Sequence, residues 1–186
     1  MPKAQSIFSA MYGWKPPEPP KTIEVKSSEP GGGVRLEGKF KLRHFRSAVL
    51  IDDREVKNTI VNVGKAGVAG LIIQTGSTSP FSYIALGTGT NATSTADTTL
   101  QTEISTGGGE RALATLSRVT TTVTNDTAQL VHTFTFTGSY AVTEAGVFNS
   151  SSSGATMLSR KTFTPVSVVA ADTLAVTYQI GVTGST

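Results

Sequence analysis

Apolar and polar residues alternate most regularly between residues 111 and 183. In the clearest run, apolar or aromatic side chains take every second position: Leu130, His132, Phe134 and Phe136. A period of two is typical of a β-strand with one buried face. Similar runs are separated by turn-forming pairs such as Asn125-Asp126 and Gly138-Ser139. This regular succession of short strands predicts an antiparallel β-sandwich.

Residues 34–56 predict a β-hairpin. Leu36, Phe40 and Leu42 alternate with basic residues, and a second apolar run follows at 48–51. One face of the hairpin is then apolar and the other strongly basic. We assign His44 to the polar face and expect a solvated histidine.

The segment 57–73 allows a helix. Gly64, Gly67 and Gly70 recur in it at every third position. Because an interior glycine costs a helix up to about 1 kcal/mol, these glycines predict a face that packs closely against another backbone.

Residues 75–110 predict a long loop region around one strand at 81–86, with a helical turn at 98–104. Taken together, the patterns predict a mainly β fold. We expect an antiparallel, jelly-roll-like β-sandwich with an extended N-terminal arm and one or two short helices.

The first third of the chain divides from the rest by composition. Pro16-Pro17-Glu18-Pro19-Pro20 favours an extended polyproline conformation, and Gly31-Gly32-Gly33 predicts a joint. We therefore expect three parts: an arm at 1–33, a hairpin with a short helix at 34–73, and the sandwich at 74–186.

The arm carries large apolar and aromatic residues that a solvated linker usually lacks. Such residues are favoured anchors at buried interfaces. They either fold back on their own domain or dock on another subunit, and we favour the second interpretation. The candidate subunit-interface residues are Phe8, Met11, Tyr12, Trp14, Ile23 and Val25.

Composition supports strands and argues against several kinds of site. From Thr75 to the end, 27 of 112 residues are threonine, which suits a pleated, half-buried surface. Residues 1–65 hold 12 Lys and Arg against 7 Asp and Glu. The acids are interspersed with the bases, so a basic segment against an acidic protein surface is favoured over nucleic-acid binding.

Candidate chemistry is sparse. The sequence has no cysteine, and its two histidines, His44 and His132, are far apart. No catalytic motif, phosphate loop, signal peptide or membrane-length apolar run is recognisable. We therefore expect no enzymatic activity, no cofactor, no metal and no membrane association, and we interpret His132 as a satisfied core or near-surface histidine.

Three charged residues lie in apolar, strand-like surroundings: Arg111, Glu144 and Arg160. A buried charge is costly unless it is paired. We expect Glu144 to meet Arg111 or Arg160, across the sheet or across a subunit boundary.

Several blocks of residues resemble the virion structural proteins of tailed bacteriophages. The blocks are Val56–Asn58, Asn62–Lys65, Ser82–Thr90, Asp97–Ile104 with Arg111, Val142–Asn149, Met157–Arg160 and Asp172–Tyr178. The resemblance lies in their order and spacing and covers roughly residues 55–183, so the arm stands outside it.

This resemblance implies a non-enzymatic protein of the β-sandwich type found in capsid decoration (cement) proteins, head fibres and tail components. We expect a trimeric decoration protein on the capsid surface, made in the host cytoplasm, whose partners are the major capsid protein or other virion proteins. The alternatives are a tail, baseplate or fibre component that meets host glycans, and a small carbohydrate-binding module or hydrolase accessory.

Overall fold

The structure, a computed structural model, describes residues 33–76 and 79–184. The described part contains ten strands and one helix. The strands are β1 (Val34–Arg46), β2 (Val49–Lys57), β3 (Thr59–Ile60), β4 (Tyr83–Gly87), β5 (Ala112–Leu113), β6 (Thr115–Val119), β7 (Thr127–Thr135), β8 (Tyr140–Phe148), β9 (Met157–Val168) and β10 (Thr173–Gly184). The helix is α1 (Asn62–Ile73).

The strands form two five-stranded sheets. Sheet A has the order β2-β1-β10-β7-β6, and sheet B has the order β3-β9-β8-β4-β5. Every strand pair is antiparallel. The predicted fold class, a mainly β antiparallel sandwich with a short helix, is confirmed.

The main core lies between the two sheets and follows the alternation seen in the sequence. On β10, Leu174, Val176 and Tyr178 are buried while the residues between them are not. Phe40 and Tyr178 are partners on neighbouring strands, and their ring centroids lie 4.9 Å apart. Period-two burial of this kind fixes the register, because a slip of one residue would expose the whole apolar set.

The central part of sheet B is buried on both faces, unlike sheet A. Every residue of β8 from Val142 to Phe148 is buried. A second apolar cluster on the outer side of this sheet explains the difference. Its buried members are Val61, Ala85, Leu100, Phe148 and Met157.

Helix α1 packs against β9 through a glycine. A Cβ atom added at Gly64 would lie 2.3 Å from the carbonyl oxygen of Leu158 and 2.7 Å from its Cα. The predicted close approach of helix and backbone is therefore confirmed at Gly64. The N-cap residue is Val61, and its apolar side chain makes no capping hydrogen bond. Packing rather than capping therefore stabilises the start of the helix.

Two expectations differ from the structure. The hairpin and helix at 34–73 do not form a separate part, because β1 lies between β2 and β10 within sheet A. Residues 98–104 form no helical turn; instead Glu103 makes a β-bridge with Gly87, and the Ile104 N–H donates to Leu86 O at 2.9 Å. Long-range contacts override the local helical tendency in this segment.

Gly64→Ala should destabilise the protein by about 2 kcal/mol, because overpacking against backbone outweighs the small gain in helix propensity. The matched control is Gly154→Ala, since a Cβ atom at Gly154 meets no atom within 4 Å. Urea unfolding measures both changes. Equal stability of the two variants would show that α1 does not depend on this contact.

Candidate functional site

Glu144 lies fully buried in β8 and binds a loop to the sheet. Its Oε1 accepts the backbone N–H groups of Gly89 at 3.1 Å and Thr102 at 2.8 Å. Its Oε2 accepts the N–H of Gln101 at 3.1 Å and the Nε–H of Arg160 at 2.8 Å. Four donors therefore replace the water that the carboxylate loses on burial. We call residues 88–111, between β4 and β5, the covering loop.

Arg160 completes this buried cluster from β9. Its guanidinium also donates to Asp97 Oδ2 at 2.8 Å and to the Asn91 carbonyl at 3.3 Å. Burial by itself disfavours the charged form, but the hydrogen bonds and charges of Asp97 and Glu144 outweigh it and raise the pKa of Arg160. Both carboxylates thus lie against a permanently charged partner.

Arg111 anchors the far end of the covering loop with a different partner. Its Nε–H and Nη2–H groups donate to the two oxygens of Glu103 at 2.9 and 2.7 Å. The guanidinium carbon lies 3.7 Å above the Phe148 ring, which is a cation–π contact. The structure therefore pairs Glu144 with Arg160 and pairs Arg111 with Glu103.

Two glycines admit the Glu144 carboxylate between sheet and loop. A Cβ atom at Gly87 or at Gly89 would lie 2.5 Å from Oε1 of Glu144. The Thr143 hydroxyl adds a hydrogen bond to the Gly89 carbonyl at 2.8 Å. Gly87 at the end of β4 and Gly89 just after it are therefore required by close packing against Glu144.

A second buried charge ties β1 to the turn before β10. Asp172 accepts hydrogen bonds from the Arg46 guanidinium at 2.7 Å and the Val169 N–H at 3.0 Å, and its Oδ2 lies 2.9 Å from His44 Nε2. The Arg46 hydrogen bonds, with those of Val169 and His44, hold the pKa of Asp172 well below its usual range, although burial acts in the opposite direction.

The expectation of a solvated His44 is wrong, because only 3% of its surface is exposed. His44 continues the inward series of Phe40 and Leu42 on β1, and Asp172 satisfies its ring nitrogen. His132 is partly buried, and its Nδ1 lies 3.0 Å from the Leu113 carbonyl oxygen. Its ring packs edge-on against Phe134, with the ring centroids 4.6 Å apart.

The outer face of sheet A carries uncharged, mostly polar groups on β7 and β10, and it is our candidate assembly surface. Its central strands present Gln129, Val131, Thr133 and Thr135 on β7 and Ala175, Thr177 and Gln179 on β10. An amide row crosses three strands, since Gln179 donates to Gln129 at 2.7 Å and Gln129 donates to Ser117 at 3.2 Å. A border of ion pairs, Lys39 with Glu55 and Lys41 with Asp53, follows at the β2 side.

The tip of the β1–β2 hairpin adds an exposed apolar edge to this surface. Val49, Leu50 and Ile51 are 62%, 42% and 49% exposed on an edge strand. The turn residues Ser47 and Ala48 have φ angles of 50° and 62°, a conformation that favours glycine or asparagine. An exposed apolar edge next to a turn with unfavourable residues is typical of a contact surface rather than of a surface optimised for solvent.

The predicted interface residues of the arm, Phe8, Met11, Tyr12, Trp14, Ile23 and Val25, lie outside the described residues. Among the described residues, no group of three or more His, Asp or Glu side chains is placed to hold a metal ion. No helix in that part of the chain is long and apolar enough to cross a membrane.

Sequence reasoning missed Asp97, Glu103 and Asp172 as ionic partners. Asp97 and Glu103 lie in a loop whose path is fixed by contacts distant in the sequence, so no spacing links them to Arg160 or Arg111. For Asp172 a signal existed: His44 and Arg46 bracket the end of β1, and both need a partner.

Neither a protein-family model, nor a curated protein, nor a solved structure matches the chain. The fold and the buried clusters define the chain as an antiparallel β-sandwich whose sheet B is covered by an ionically fastened loop.

Glu144→Gln should lower the free energy of unfolding by about 3–5 kcal/mol, because it leaves Arg160 buried with one carboxylate fewer and turns an acceptor into a donor facing N–H groups. The control is Glu55→Gln, whose side chain is half exposed in its pair with Lys39, and which should cost less than about 1 kcal/mol. Urea unfolding of both variants checks the contrast. Similar small losses would show that the cluster contributes little to stability.

Asp172 should make the protein acid-sensitive. Its pKa is lower in the folded state than the unfolded value of about 3.9, so the stabilisation is complete above that value and is lost as the pH falls below it. Between about pH 4 and pH 2, stability should fall more steeply for the wild type than for Asp172→Asn, and Arg46→Gln should lie between them. Unfolding free energies measured across this range test the order; parallel curves would contradict it.

Proposed function

We propose that this chain is a non-enzymatic structural protein of a tailed-bacteriophage virion, and specifically a capsid decoration protein. In this proposal the sandwich is a trimeric body on the capsid surface. The arm at 1–33 grips neighbouring subunits, with the major capsid protein as the principal partner, and thereby stabilises the head.

The observation that carries the proposal is the meeting of the resembling blocks at one place. Four blocks that are distant in sequence meet at the Glu144 cluster: 82–90, 97–104, 142–149 and 157–160. The residues that resemble phage virion proteins are thus the residues that fasten the covering loop to sheet B. Their common role here is structural, because each buried charge in the cluster is occupied by protein donors or acceptors.

The distribution of surface supports an assembly role. Sheet B is covered on its outer side, while the outer face of sheet A carries neutral hydroxyl and amide groups on β7 and β10. Such groups lose little on burial if partners on another subunit satisfy them. The exposed edge at Val49–Ile51 offers apolar area next to this face, and burial of apolar area is the main favourable term in association.

The arm supplies aromatic anchors of the kind that dominate binding energy at interfaces. An arm that docks modestly on one neighbour becomes effective when it is repeated over a closed shell, because each further contact is intramolecular within the assembly. This reasoning favours a decoration protein over a tail component, which is present in few copies.

Deletion of residues 1–33 should abolish binding to the capsid and leave the sandwich folded. The measurement is the copy number per particle, by quantitative mass spectrometry of particles from the genome that encodes this chain, with circular dichroism of the purified proteins as the folding control. Hundreds of copies for the full chain and a loss of most of them after deletion support the proposal. A handful of copies would instead identify a tail or fibre component.

Point variants separate anchoring from mere arm length. Tyr12→Ala with Trp14→Ala should reduce capsid occupancy severalfold, since aromatic anchors carry most of the binding energy at interfaces. The matched control, Gln5→Ala with Ser6→Ala, should leave occupancy unchanged. Full occupancy after removal of the aromatic residues, or of the whole arm, would overturn the gripping role.

A further inference from the structure

A groove of about 580 Å³ lies where the chain passes from sheet A to sheet B, between the ends of β2 and β3. Its lining includes Leu36 and Ile60 as apolar groups and Thr121, Thr183 and Gln179 as neutral polar groups. The charged residues of the lining are three lysines and one glutamate: Lys39, Lys57, Lys65 and Glu37. The groove therefore carries excess positive charge.

Two of these lysines face each other across a strand pair. In the antiparallel register of β1 and β2, Lys39 lies directly opposite Lys57. Like charges at opposite positions destabilise a sheet. Lys39 is compensated by Glu55 at 3.1 Å, whereas Lys57 makes no ion pair with any described residue.

The third lysine opposes a helix dipole. Lys65 lies at the end of the first turn of α1, where its backbone N–H donates to the Val61 carbonyl oxygen. The N-terminal end of a helix is electropositive and favours acidic residues, but this first turn contains none. Lys65, like Lys57, has no ion-pair partner within 33–76 and 79–184.

Two independent violations of local electrostatic preference thus converge on one groove. A place where a sequence breaks such local preferences is often a functional site. An anion would remove both conflicts at once.

We propose that this groove is a binding site for an oxyanion, a phosphate or carboxylate group carried on a small polar body. Lys57 and Lys65 neutralise the anion, and the threonine and glutamine groups of the lining accept or donate hydrogen bonds to the body of the ligand. The volume falls within the range of small-molecule sites. Binding of such an anion does not depend on the proposed virion function.

The test is a titration of the full-length ¹⁵N-labelled chain at constant ionic strength with pyrophosphate and, separately, with citrate. We expect saturable shifts, confined to amides of the groove such as Gly38, Asn58 and Gly181, with dissociation constants in the millimolar range or tighter. The probe that saturates at the lower concentration distinguishes a phosphate from a carboxylate ligand. Lys57→Gln and Lys65→Gln should each weaken binding by about tenfold or more, roughly the loss of one charge-assisted contact.

Lys161→Gln is the matched control, because Lys161 lies on β9 outside the groove and the variant loses one positive charge. It should leave binding within about twofold of wild type, well under the effect of one hydrogen bond to a charged group. Because the conflicts disappear, Lys57→Gln and Lys65→Gln should each keep or raise the melting temperature without ligand. The proposal is overturned by shifts that do not saturate with either probe, by equal weakening in Lys161→Gln, or by a lowered melting temperature in the lysine variants.

Discussion

The Glu144 carboxylate joins three parts of the chain that are far apart in sequence. It lies within β8, accepts N–H groups from the covering loop, and meets Arg160 from β9. A carboxylate without such partners would be too costly to bury. With them, it holds the loop on the sheet in one position, because each N–H group must reach a specific oxygen. Gly87 and Gly89 leave the space that this arrangement needs.

The fastening of the covering loop decides which surfaces remain open. With the loop in place, Leu100 packs in the second apolar cluster, and the central part of sheet B is buried on both faces. Sheet A has no such cover in the described part of the chain, so its threonine and glutamine rows face outward. The described residues therefore cover the outer face of sheet B and leave the outer face of sheet A uncovered. The proposed assembly role depends on this difference and on the arm that precedes β1.

Much of the fold follows from patterns that are local in the sequence. Period-two alternation predicts β7 and β10, and the glycines of α1 indicate its close packing at Gly64. The partnership of Glu144 was expected because few charges occur among its apolar neighbours, so each required an opposite charge. The choice between Arg111 and Arg160 was left open, since strand register decides it and spacing does not.

What the sequence did not predict depends on contacts between distant residues. Residues 98–104 have helical tendency, yet the N–H groups of Gln101 and Thr102 bind Glu144 instead. His44 was assigned by its polarity, although its position in the alternation of β1 places it inward. Asp172, 128 residues further on, supplies the partner that makes this burial favourable. The opposition of Lys39 and Lys57 in the groove likewise follows from the register of β1 and β2, which the sequence pattern does not predict.

The central claim is that the Glu144 carboxylate fastens the covering loop to sheet B. Native-state hydrogen exchange of the Gly89, Gln101 and Thr102 amides tests it most directly, with the wild type compared to Glu144→Gln. The account predicts that these three amides are strongly protected in the wild type. In the variant they should lose protection by about tenfold or more beyond the amides of β10, since one lost charge-assisted bond is worth roughly that factor. Protection that falls equally in the loop and in β10, or does not fall at all, would contradict the claim.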